Sequence, residues 1–310
     1  MSGLRARLQA IPTGGYAAAF CIALCATTFY SMKPVFIKLA FANGASVNAV
    51  MAWRMALSLP VFLAVGVKAW QRRTEKPSAR QVAQAAFVGI LGYYGASYLD
   101  VLGLQYVSAQ LERLILFCYP ALVILATAFI RRQPISAQTS GALGLAYAGL
   151  GLLFGHDLQL GGADTLLGTA LVFGSAVAYA GYLMLSGGPI AAMGSLLFTA
   201  IAMSAACFAV LAQAVAVEGL AGLAITPAAL AWMAAVALIS TVLASFLQSE
   251  AIARLGAARS SVVGSTGPLL TSVAAVVLLG EPFGPYHAAG LALATAGMVV
   301  LSRKKQQKKA

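Results

Sequence analysis

The stretch L-G-L-A-Y-A-G, Leu143 to Gly149, returns 148 positions later as L-A-L-A-T-A-G, Leu291 to Gly297. The same shift, without gaps, lays Tyr98-Leu99-Asp100 on Phe246-Leu247-Gln248, Tyr119-Pro120 on Gly267-Pro268, and Gln133-Pro134 on Glu281-Pro282. Proline inside an apolar run removes a backbone donor and bends a helix. Two such prolines at one offset, each followed by another just past its run, mark a duplicated scaffold.

Around these landmarks the 310 residues divide into ten apolar segments: 16–41, 46–67, 81–102, 107–130, 137–155, 165–185, 192–215, 228–248, 258–279 and 285–302. Hydrophobic residues make up 61% of the chain and charged residues 9%, with a mean hydropathy of +0.87. A soluble domain carries about 25% charged residues, so the chain reads as an all-α integral membrane protein. Arg5 and Arg7 stand ahead of the first apolar run, but that run is too long for the core of a signal peptide. Cys21, Cys25, Cys118 and Cys207 all fall within apolar segments, without a CxxC pair. They indicate neither disulfides nor a zinc site. No cofactor and no metal are expected.

The net charge of +12 could suggest nucleic acid, but its distribution points to a membrane. Lysines and arginines occupy the N-terminus, the 68–80 connection, Arg131 and Arg132, Arg254 and Arg259, and the tail from Arg303 to Lys309. These positions alternate with connections that carry none. By the positive-inside rule both termini are cytoplasmic. Under the shift, the basic 68–80 connection corresponds to a stretch around Glu218 to Thr226 without lysine or arginine. One scaffold with opposite charge bias is an inverted repeat. Secondary transporters are commonly built this way, with substrate near the midplane between the halves.

These features resemble the EamA-type family of the drug/metabolite transporter (DMT) superfamily over nearly the whole chain. The resemblance rests on P-V-F-I-K (Pro34 to Lys38), A-W-R-M-A-L-S-L (Ala52 to Leu59), S-A-Q (Ser108 to Gln110), Pro120, G-A-A (Gly256 to Ala258), Pro268, G-E-P (Gly280 to Pro282), Gly290 and Gly297. It implies ten helices in two inverted five-helix repeats, residues 1–155 and 156–310, moving small metabolites across a bacterial inner (plasma) membrane. Within the family, the YddG-like aromatic amino-acid exporters are nearest in size and tyrosine content. The family usually has a small or polar residue where this chain has Lys33.

Lys33 beside Pro34 in the first segment, Arg54 in the second, Asp100 closing the third, and Glu112 and Arg113 in the fourth all come to one depth, the outer third. Charges at that depth face a wet cavity or pair with one another. Lys33 is expected to meet a substrate carboxylate. Arg54 either joins it or fixes helix positions, and Arg113 is placed to pair with Asp100. Adjacent Glu112 and Arg113 point about 100° apart, so one lines the cavity and the other faces a neighbouring helix. Lys38 reads as an interfacial anchor that snorkels. Helical spacing groups Tyr30 with Lys33, Tyr94 with Tyr98, and Tyr179 with Tyr182 as aromatic walls for an amphipathic zwitterion. Tyr30, Lys33, Tyr94, Tyr98, Glu112, Arg113, Tyr179 and Tyr182 are thus the expected substrate contacts. Lys38, Arg54 and Asp100 are the structural or gating charges, and Pro34, Pro120 and Pro268 the helix breaks. The hydroxyl-rich Ser260 to Gly267 either packs closely against a neighbour or adds a cavity wall. Glu250 and Arg254 read as a surface pair.

The expectation is a secondary exporter of small amphipathic metabolites, foremost amino acids, working by alternating access in the lipid bilayer. Glu112 or Asp100 could carry a proton. The alternatives are export of nucleobases or cationic compounds, or lipid flipping. No G-x-x-x-x-G-K suggests ATP hydrolysis and no HExxH suggests an intramembrane protease. His156 and His287 lie at outer connections. Enzyme activity and nucleic-acid binding are not expected, and the oligomeric state is left open, with a monomer as one alternative.

Overall fold

A computed structural model describes residues 13–132, 134–255, 263–264 and 266–307. Arg5, Arg7, Gln133, Gly256 to Val262 and Ser265 lie outside the described residues, and with them the G-A-A element and half of the hydroxylated stretch. Every regular element among the described residues is helical. Their lipid-facing surface is apolar, with Phe129 86% and Val277 74% exposed. Apolar side chains exposed on that scale need a membrane or a partner to cover them.

The first segment is broken into α1 (Thr13–Ser31) and α2 (Lys33–Ala42), with Pro34 in the first turn after the break. Next come α3 (Val47–Gln71) and α4 (Ala79–Gly89), the latter running through a π-helical turn, Ile90–Gly95, into α5 (Ala96–Gly103). The fourth segment is again broken, into α6 (Ala109–Leu116) and α7 (Tyr119–Arg131). After α8 (Ala137–Gly222), α9 (Pro227–Ala235) passes through a π-helical turn, Val236–Leu243, into α10 (Ala244–Leu255). The last elements are α11 (Gly267–Ala274), the π-helical turn Ala275–Leu279, and α12 (Pro285–Gln307).

Six helical stretches among the described residues are long and apolar enough to cross a membrane, and Gly267–Leu279 and Pro285–Val300 are shorter apolar helices. The longest, α8, counts 86 residues. A straight helix of that length would reach about 130 Å, roughly four times the hydrocarbon thickness of a bilayer. It is not straight. Gly162 (φ 56°, ψ −133°) and Gly194 (φ 77°, ψ 155°) interrupt it in conformations that a Cβ would strain.

The duplication seen in the residues is also present in the backbone. Helix starts recur at the same offset: Ala79 and Pro227, Tyr119 and Gly267, Ala137 and Pro285. Ser78 caps α4 and its counterpart Thr226 caps α9, each side-chain oxygen accepting an amide three residues on. Shifted by the same offset, the turn Ile90–Gly95 falls within Val236–Leu243.

The two motifs that define the repeat pack on each other. A Cβ at Gly149 would stand 2.5 Å from the Gly290 carbonyl oxygen and 2.6 Å from the Ala294 amide. A Cβ at Gly297 would stand 2.6 Å from the Ala142 carbonyl oxygen and 2.7 Å from the Ala146 amide. Glycine therefore sets how closely these backbones approach. The offset turns Gly149 into Gly297, Ala142 into Gly290 and Ala146 into Ala294. Each contact is thus exchanged for the other, as a two-fold axis between antiparallel helices requires.

Candidate functional site

A cavity of about 550 Å³ lies between the halves. It runs from Lys33 and Asp100 towards the end of the molecule that carries the basic connections, where Ile124, Gln248 and Met298 border it. Asp100 and its counterpart Gln248 therefore stand on the wall of the same chamber. A shallow recess beside Phe129, Ile130 and Pro134 has a larger volume, about 1030 Å³. It lies on the outer apolar surface, and Arg132 is the charged residue on its rim.

The broken helices build the cavity wall. Proline has no N–H, so Pro34 leaves the carbonyl of Tyr30, four residues earlier, without its helical partner. Arg113 supplies the replacement, Nη2 donating to the Tyr30 oxygen at 2.8 Å. The break also meets the start of α11. Ser31 Oγ donates to the Gly267 carbonyl (3.1 Å), and Thr271 Oγ1 donates to the Ser31 carbonyl (2.9 Å). Irregular backbone at membrane depth persists where protein or a water-filled cavity satisfies it, and protein side chains do so here.

Lys33 Nζ donates to Asp100 Oδ2 at 2.5 Å, joining α2 to α5 on the cavity wall. The expected Arg113–Asp100 pair is therefore replaced: Asp100 takes Lys33, and Arg113 is drawn to the carbonyl freed by Pro34. Lys33 likewise faces the cavity already neutralised. Arg54, from α3, donates through Nε to Thr241 Oγ1 at 3.2 Å, and its Nη1 is buried without a partner. Thr241 in turn donates to the Val236 carbonyl (2.9 Å), five residues back in the π-helical turn.

Of the expected contacts, Tyr30, Lys33, Arg113 and Tyr179 line the cavity. Tyr30 shares a hydrogen bond with Ser245 (3.0 Å), and Tyr179 meets Tyr119 edge to face at 5.0 Å. The others stand elsewhere. Tyr94 and Tyr98 do adjoin each other, at 6.2 Å between ring centroids, but on the face of α4–α5 that packs against the core around Met51 and Met55. Tyr182 is 6% exposed, packed among Met193 and Phe198, and shares a hydrogen bond with Tyr93 (2.9 Å). Glu112 is 0% exposed, with its carboxyl set against that of Asp100 and Arg113 Nε 3.9 Å away.

Arg54 and Asp100, assigned structural roles from the sequence, line the chamber, as do the unassigned Tyr93, Tyr119 and Ser240. Tyr93, Ser97 and Asp100 form an i, i+4, i+7 stripe ending on the segment's one charge, a signal the residue pattern already held. The π-helical turns contribute Gly92 and Tyr93 from one repeat, Ser240 and Thr241 from the other. Such turns often mark functional sites.

At the end away from the basic connections, polar contacts tie the connections together. Glu281 of G-E-P accepts the Ala109 amide at 2.8 Å, capping α6, and Lys38 Nζ lies 3.7 Å from it. Glu218 accepts from Ser46 (2.9 Å) and Asn48 (2.8 Å). Asp157 meets His156 Nδ1 (3.2 Å), His287 Nε2 (3.8 Å) and Ser108 Oγ (3.2 Å). The ligand atoms of this His–Asp–His group fall within 4.8 Å of one another, a grouping the sequence reading did not anticipate. The Gly284 amide donates to His287 Nδ1 (3.2 Å), which leaves the ring proton on Nε2, facing Asp157. The Ser108–Asp157 hydrogen bond makes the group a tie between connections, with His287 in electrostatic contact. At the basic end, Arg73 reaches the carbonyls of Met193 and Ala192, and Arg254 pairs with Glu250 at 2.6 Å, both side chains 48% exposed.

Residues 17–155 and 166–303 each match the model of a family described as the EamA-like transporter family. The chain is 30% identical over 272 residues to a Bacillus subtilis (strain 168) protein called uncharacterized transporter YcbK, covering 84% of this chain and 85% of that one. A solved crystal structure, described only as that of a protein, superposes with a TM-score of 0.64 at 17% identity. It covers 93% of this chain and 99% of its own.

Proposed function

This chain belongs to the EamA-like transporter family of the DMT superfamily, and from that premise we propose that it exports small amphipathic metabolites, foremost amino acids, across a bacterial inner membrane. Membership makes it a multi-pass membrane transporter rather than an enzyme. Ten crossings follow if Gly162 and Gly194 divide α8 into three, giving inverted halves at 1–155 and 156–310. Positive-inside orientation then sets both termini and the mouth of the cavity towards the cytoplasm.

The observation that carries this reading is the cavity itself, bounded by both repeats and lined by aromatic rings and charges. Contacts at the opposite end (Lys38 with Glu281, Glu218 with Ser46 and Asn48, Asp157 with His287) close the outer side. Alternating access requires those ties to open while the basic end closes. Buried Glu112, whose carboxyl meets that of Asp100, is our candidate for a coupling proton. Purified protein in liposomes, preloaded with unlabelled solute, should accumulate the matching radiolabelled amino acid by saturable counterflow. Absent flux for amino acids and nucleobases, with fluorescent lipids scrambled instead, would reject export in favour of lipid flipping.

A further inference from the structure

We propose that Arg54, with Ser240 from the π-helical turn that holds it, is the anchor for a substrate carboxylate. This deepens the transport reading above and rests on it.

Every other cation on the wall is committed. Lys33 is held by Asp100 at 2.5 Å, and Arg113 by the Tyr30 carbonyl at 2.8 Å; Arg113 Nε makes no hydrogen bond, but the Glu112 carboxylate lies 3.9 Å from it. Arg54 has no carboxylate within 4 Å among the described residues, and the carboxylate acting on it electrostatically, Asp100, already carries Lys33. Its residue is 5% exposed and lines the cavity, yet Nη1 has no acceptor. A buried guanidinium with an unused N–H is costly unless something arrives to accept it.

Ser240 Oγ, 2% exposed as a residue, is a second buried and unpartnered polar atom on this wall. It comes from the π-helical turn whose Thr241 already holds the Arg54 Nε. The bond to Thr241 fixes the guanidinium plane, so the free Nη1 edge is presented in one orientation. That edge takes an anionic oxygen rather than a cation or a neutral ring, and in the amino-acid reading above the anion is a carboxylate. Phe117, Tyr119 and Tyr179 supply the apolar wall for a side chain.

The test is counterflow in liposomes with a panel of radiolabelled L-phenylalanine, L-leucine, uracil and tetraphenylphosphonium, followed by competition between hydrocinnamate and phenethylamine. Flux should be confined to the amino acids, and hydrocinnamate should compete better than phenethylamine. Arg54→Gln should raise KM at least about tenfold, the loss of one charge-assisted bond, and Arg54→Lys should fall between. The competition arm uses wild-type protein, so it stands even if Arg54→Gln fails to fold. Flux of uracil or tetraphenylphosphonium alone, stronger competition by phenethylamine, or an unchanged KM in a folded Arg54→Gln would each overturn the anchor while leaving transport standing. Absence of saturable flux for every probe would overturn the transport reading and the anchor with it.

Discussion

Removing one partner of the Lys33–Asp100 pair should cost far more than removing both. The two charges lie 2.5 Å apart, with side chains 14% and 2% exposed. At an effective dielectric near 20 their attraction is about 7 kcal/mol. Dehydrating each ion costs several kcal/mol, so the pair is worth little net, whereas a lone buried charge costs about 3–5 kcal/mol. Lys33→Met and Asp100→Asn should each lower the unfolding free energy by about 3 kcal/mol, the low end because Lys33 keeps some exposure. The double variant should recover most of that loss. Reversible unfolding in mixed micelles, followed by tryptophan fluorescence, closes the double-mutant cycle. The exposed Glu250–Arg254 pair, 48% exposed on both sides, is the internal reference, at about 0.3–0.5 kcal/mol for i,i+4 spacing. If the single variants cost no more than that reference, or the double variant costs their sum, the pair is not the buried neutralising contact described, and Lys33 would return as a free substrate cation.

Gly149→Ala and Gly297→Ala should destabilise by similar amounts, about 1–3 kcal/mol each by overpacking, because each Cβ meets backbone at 2.5–2.6 Å in two-fold-related contacts; markedly unequal losses in the same unfolding assay would argue against the symmetry. Glu281→Gln removes the anion that caps α6 and holds Lys38, and should cost about 1–2 kcal/mol; an unchanged midpoint would show the G-E-P carboxylate to be structurally idle. Glu112→Gln keeps a side chain of the same shape that can still donate to Asp100, so stability should stay within about 1 kcal/mol of wild type. Its flux should no longer respond to an imposed pH gradient, and a wild-type response would remove Glu112 from coupling.

Much of the architecture was legible because it depends on local chemistry. Pro120 and Pro268 break helices wherever they fall in an apolar run, Ser78 and Thr226 cap because a short side-chain oxygen reaches the third amide, and Gly149 and Gly297 mark the close crossing. The site was read less well, and the failures share a cause. Grouping Tyr94 with Tyr98 assumed a regular face. The π-helical turn at Ile90–Gly95 and the choice of which face meets the chamber instead put Tyr93 on the wall, and neither is set by spacing alone. The ion pairing failed for a related reason. Both Lys33 and Arg113 were within reach of Asp100, and attraction alone does not choose between them. The choice was made by a backbone carbonyl: Pro34 withholds its amide from Tyr30, Arg113 fills the vacancy at 2.8 Å, and Asp100 is left to Lys33. The missing amide could be read from the sequence; that the fourth segment passes beside the break in the first could not. Arg113 and Lys33 each have a carboxylate within 4 Å, whereas Arg54 has none among the described residues, so a residue first read as scaffold is the one we propose for the substrate contact that Lys33 was expected to make.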